Sequence, residues 1–152
     1  TVVLYGQPID ELPDYEIEEL IKLYGEERVK HLDYALYRAE NPVNGEVMAY
    51  IPGHVVYAAL KQAAGIAGKP IVTRASLIGL YFPLKAVKIK VFHINKPEKP
   101  TLVSAEVIPP RTPGVMVWLG DPGEIPSELR VSQIQIGRWK KRGLGIIEIN
   151  WL

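Results

Sequence analysis

From Pro70 onward the apolar residues of this chain recur at every second position, in runs closed by turn residues. That period commits the C-terminal half to sheet. The spacing predicts strands over Pro70–Phe82, Ala86–Asn95 and Thr101–Ile108, with Lys96-Pro97-Glu98-Lys99-Pro100 turning between the last two. In the middle strand Val87, Ile89, Val91 and His93 share one face, and Lys88, Lys90 and Phe92 share the other. Val115–Leu119 reads as a further strand, residues 124–130 as one helical turn, and Val131–Ile136 and Ile146–Trp151 as the closing strands.

The N-terminal half is organised differently. Residues 1–5, Thr-Val-Val-Leu-Tyr, read as a first strand stopped by Gly6 and Pro8. Ile17, Leu20, Ile21 and Tyr24 fall at helical spacing between Asp14, a candidate cap, and Gly25, a candidate stop. Helix is expected again from Glu26 (Val29, Leu32, Leu36) toward Ala39, and Asn44-Gly45 carries tight-turn chemistry. Glu46–Ile51 is extended, Pro52-Gly53 breaks it, and His54–Ile66 presents Val55, Ala58, Ala59, Gln62, Ala63 and Ile66 as a helix with a small-residue face. With residues 7–50 set aside as an acidic helical insert, the order is β-α-β-β-α-β. That is the split βαβ, or ferredoxin-like, unit: an α+β fold with an antiparallel sheet and helices on one face. One domain over residues 1–152 is expected.

Composition narrows the chemistry. With no cysteine among 152 residues, disulfides, cysteine–zinc sites and thiol catalysis are excluded, and a reducing cytoplasm is expected. The Cys-free, Lys/Glu- and Pro-rich composition suits a thermophile. No apolar run approaches the ~20 residues that span a bilayer, and the opening residues lack the basic start of a signal peptide. The net charge of +1 hides a split. Residues 1–60 hold 4 Lys/Arg against 11 Asp/Glu, whereas residues 61–152 hold 14 against 6. A basic half points to an anionic polymer as partner.

The segment Ile136-Gly-Arg-Trp-Lys-Lys-Arg-Gly-Leu-Gly-Ile146 concentrates that charge. Gly137, Gly143 and Gly145 permit main-chain amides to approach phosphate oxygens, Arg138, Lys140, Lys141 and Arg142 add attraction, and Trp139 offers a face for a base. Its glycine spacing is neither that of a P-loop nor that of a dinucleotide fingerprint. At the second segment, Tyr50-Ile51-Pro52-Gly53 enters a helix whose first amides are free to meet an anion.

Together these two segments resemble the CRISPR-associated RAMP superfamily. Tyr50-Ile51-Pro52-Gly53 running into an Ala/Leu helix is similar to its Ile-Pro-Gly-Ser-Ser element. Gly137-Arg138 through Gly143-Leu144-Gly145 is similar to its glycine-rich loop before the last strand. His54 and Val55 stand where the family has serines, and Ala58 where it has glycine, which leaves phosphate contact to helix amides. The resemblance implies an RRM-like fold and CRISPR RNA as partner, with other CRISPR-associated subunits alongside and neither cofactor nor metal. Backbone subunits of RNA-targeting complexes carry a catalytic aspartate between first strand and first helix. Asp10, Asp14 and Asp33 lie there, and no local motif selects one.

The leading expectation is an RNA-binding subunit using the loop residues, with Lys88 and Lys90 extending the basic surface. An endoribonuclease is the first alternative. Metal-free cleavage needs a base, an acid and a cation, and His54, Tyr57 (or Tyr50) and Lys61 sit at one-turn spacing to supply them. His93 reads as partly buried and His31 as solvated. A protein-interaction subunit that has lost RNA binding is the second alternative. No zinc-ligand spacing and no nucleophile elbow occurs.

Overall fold

Alternation in the basic half produces the longest pairing of the fold. Strands β6 (Lys88–Asn95) and β7 (Pro100–Val107) run antiparallel from Lys88 opposite Val107 to Asn95 opposite Pro100 in the computed structural model, which describes residues 6–69, 75–95, 100–137 and 144–151. On its other side β7 takes a parallel partner, β2 (Tyr34–Leu36), and β2 pairs with β1 (Gly6–Pro8). The order of this sheet is β1-β2-β7-β6.

The two faces of that sheet are covered by different material. Helices α1 (Asp14–Tyr24) and α2 (Glu26–Lys30) lay Leu20, Ile21, Tyr24 and Val29 against Ala35 and Ile89. The opposite face carries Phe92, Ala105 and Val107, with Tyr34 and Leu144 packed on them. Because successive strand residues point to opposite sides, Ile89 and Phe92 report the two faces.

A second sheet has the order β3-β4-β5-β8, built from β3 (Arg38–Glu40), β4 (Val47–Pro52), β5 (Ser76–Phe82) and β8 (Val115–Leu119). Helix α3 (Gly53–Ala63) leaves β4 without a loop and buries Val56, Ala59 and Leu60. These join Ile51, Leu80 and Phe82, together with Ile134 and Ile136, in the largest core. The latter two belong to the hairpin of β9 (Gln133–Gln135) and β10 (Ile146–Glu148). Gly53 is required at the strand-to-helix corner: a Cβ there would run into the Leu77 carbonyl of β5.

The molecule is a mixed α+β protein with several, mostly antiparallel, sheets. Several expectations change. The ferredoxin-like unit predicts that β5 and β6 are neighbours in one sheet, but they lie in different sheets, and β5 pairs with β4 and β8 instead. Residues 7–50, expected as a helical insert, are α-helical only over α1 and α2 and also carry β2, β3 and β4. Helical spacing fails after Lys30 because long-range pairing wins. The Asp33 amide donates to the Ser104 carbonyl, and the Asp33 carboxylate accepts from the Ser104 amide, steering Tyr34 onto β7. Asp14 is not a cap: Pro13 occupies that position, and Asp14 is the first helical residue, beside the positive end of the dipole. The expected strand over 1–5 falls outside the described residues, as do residues 70–74 of the strand expected over Pro70–Phe82, whose remainder contains β5. Among the described residues no helix is long and apolar enough to cross a membrane.

Candidate nucleic-acid interface

The β9–β10 hairpin holds the base of the cationic segment. Ile134 of β9 and Ile136 just beyond it anchor the hairpin in the core, and the Ile136 amide donates to the Gly145 carbonyl at 2.9 Å. Gly145 has φ +82°, and a side chain there would collide with the Ile136 carbonyl, so only glycine closes this end. Gln135 adds a brace from its side chain, with Nε2 donating to the Leu144 carbonyl at 2.9 Å. Gly137, at φ +101°, begins the segment. Arg138, Trp139, Lys140, Lys141, Arg142 and Gly143 lie outside the described residues.

Leu144 fixes where that segment ends. It packs with Phe92, Ala105, Val107 and Tyr34 on the sheet face away from α1 and α2. The same face exposes Lys88 and Lys90, as the alternation of β6 requires, and the Lys90 ammonium stands 5.3 Å from the centroid of the Phe92 ring. The acidic helices are therefore on one side of this sheet, and the two lysines and Leu144 on the other.

The second candidate group is only partly assembled. Lys61 lies over the Tyr57 ring, 5.8 Å from its centroid, one helical turn along α3. Tyr57 is half-buried against the core, which ties its ring to packing. His54 is exposed at the second position of α3 and hydrogen-bonds to neither among the described residues. Tyr50 turns away, stacking on Tyr81 with centroids 5.2 Å apart and covering Gly79. His93, expected to be partly buried, is exposed, while His31 is solvated beside Glu27. Asp10 sits exposed in a 3-10 turn, and Asp33 is taken up by β7. No group of three or more metal-ligating side chains occurs among the described residues.

Two features escaped the sequence reading. Glu106 is fully buried in β7 and accepts four hydrogen bonds. Arg38 donates twice at 2.8 Å, the Tyr24 hydroxyl once at 2.6 Å, and the Leu36 amide once at 3.1 Å. Burial pushes the Tyr24 phenol well above its ordinary range, and the Glu106 hydrogen bond and charge add to this. Burial opposes the charge on Arg38, but the Glu106 hydrogen bond and charge outweigh it and raise the guanidinium further. The one signal in sequence was a lone glutamate within an apolar strand. The other feature is a groove between α3 and β9 bearing three glutamines.

The chain matches no family model, no curated protein and no solved structure.

Proposed function

We propose that the chain binds single-stranded RNA on the sheet face that exposes Lys88 and Lys90, as a RAMP-like, cytoplasmic RNA-contacting subunit of a CRISPR effector assembly. The observation that carries this reading is the seat of Leu144 beside Phe92 and Lys90, which brings one end of the cation-rich segment to the lysine-bearing face. Six cations are then available to one ribose-phosphate strand: Arg138, Lys140, Lys141, Arg142, Lys88 and Lys90. Trp139 supplies a stacking surface, and the acidic α1–α2 side repels the strand from the opposite face. A glycine-rich loop before the last strand belongs to this same proposal.

A salt titration tests it. Six phosphate contacts on a single strand give log K falling with log salt at a slope of roughly −4. A flat response, or no retention of RNA at low salt, refutes RNA binding and leaves a subunit whose contacts are to protein.

A further inference from the structure

We infer that the groove between α3 and β9 receives one unpaired nucleobase of the RNA strand held by the neighbouring segment, an inference that rests on the RNA-binding reading. The groove measures about 240 Å³ and is lined by Ala59, Gln62 and Ala63 of α3 and by Gln133, Ile134 and Gln135 of β9. That is below the ~300–1,000 Å³ of sites for drug-sized ligands, so it suits a single ring system rather than a whole cofactor. None of its lining side chains is charged, so a phosphate would find no counter-charge there. Ala63, exposed on α3, offers apolar contact to the face of a ring, with Ala59 and Ile134 buried beneath as the floor, while the glutamine amides offer paired donors and acceptors to its edge. That pairing is how glutamine reads bases.

The groove runs along the edge of β9. Three consecutive strand residues alternate between faces, so they line one groove only from the edge. The Ile136–Gly145 and Ile149–Ser132 hydrogen bonds fix the ladder so that the main-chain groups of Gln133 turn away from β10. Among the described residues, the side chains of Gln62 and Gln133 have no hydrogen-bond partner. Gln135 has a different part: its amide braces Leu144, so the groove wall and the end of the cationic segment share one hydrogen bond. Gln135 stands two residues before Gly137, the last described residue ahead of the cationic segment. On the RNA-binding reading, a strand held by that segment lies next to the groove.

The test measures binding of the whole chain to a short single-stranded RNA of mixed sequence and to inorganic polyphosphate, which has charge but no bases. Gln62→Ala with Gln133→Ala is expected to weaken RNA binding about tenfold. Polyphosphate affinity and the salt slope are expected to stay unchanged. Ala63→Trp, at an exposed position that tolerates bulk, fills the groove and is expected to do the same. Unchanged RNA affinity in both variants overturns the base site while leaving RNA binding standing, as does an equal loss for polyphosphate. Failure of the unsubstituted chain to bind RNA overturns both.

Discussion

Glutamate 106 gives the sharpest test of what holds the first sheet to its helices. Its side chain is fully buried and joins three elements, α1 through Tyr24, the β2–β3 segment through Leu36 and Arg38, and its own β7. Glu106→Gln keeps the shape, removes the charge, and turns an amide donor toward Arg38 or Tyr24. Removing one partner of a buried ion pair costs about 3–5 kcal/mol, because the other charge stays behind in a poorly solvated place. Arg38 retains 16% of its side-chain exposure, so water relieves part of that penalty and about 3 kcal/mol is expected. Replacing both partners with apolar residues, Arg38→Met with Glu106→Leu, leaves no orphaned charge. The pair is therefore expected to cost markedly less than the sum of the single changes. Urea unfolding followed by far-UV circular dichroism measures all of these, provided the slope with denaturant is unchanged. A loss below 1 kcal/mol in Glu106→Gln, or strict additivity in the double variant, refutes the reasoning.

Other expectations follow from single contacts. The raised Tyr24 phenol binds its proton more tightly in the folded than in the unfolded chain. Its contribution is therefore complete below pH ~10, where an unfolded tyrosine titrates, and declines above it. Tyr24→Phe is expected to shrink that alkaline loss in a pH series of unfolding midpoints, and an unchanged alkaline limb contradicts the assignment. Gly53→Ala drives a methyl into the Leu77 carbonyl and is expected to cost about 3 kcal/mol, while the exposed neighbour His54→Ala is expected to stay within ~0.5 kcal/mol. Leu144→Ala removes the segment's seat on Phe92, and is expected to lower RNA affinity severalfold at a stability cost of roughly 2 kcal/mol. Equal RNA affinity there separates the loop from the sheet face.

The elements that the sequence made legible are those whose reasons are local. The alternation of residues 88–107 gave β6 and β7 and placed Lys88, Lys90 and Phe92 on one face. Helical spacing gave α1, and Pro52-Gly53 gave the corner into α3. What the sequence left hidden depends on partners far away in the chain. Residues 34–36 have nothing local to stop a helix; Ser104, some seventy residues on, makes them a strand. Sheet membership is hidden for the same reason, since β5 and β6 are adjacent in sequence yet belong to different sheets. The Tyr24–Glu106–Arg38 network and the α3–β9 groove unite side chains whose types are ordinary and whose proximity only folding creates. Conversely, the positive φ of Gly137 and Gly145 was readable because it is a property of the residue itself.

The most direct measurement of the central claim asks which face of the sheet meets RNA. Lysine acetylation of the chain, with and without saturating single-stranded RNA, can be read by mass spectrometry at each lysine. Lys88 and Lys90 are exposed on one face, and Lys22 and Lys30 are exposed on the helices that cover the other. RNA is expected to protect Lys88 and Lys90 together with Lys140 and Lys141, leaving Lys22 and Lys30 as reactive as before. Protection of Lys22 and Lys30, or equal reactivity of Lys88 and Lys90 with and without RNA, contradicts the account.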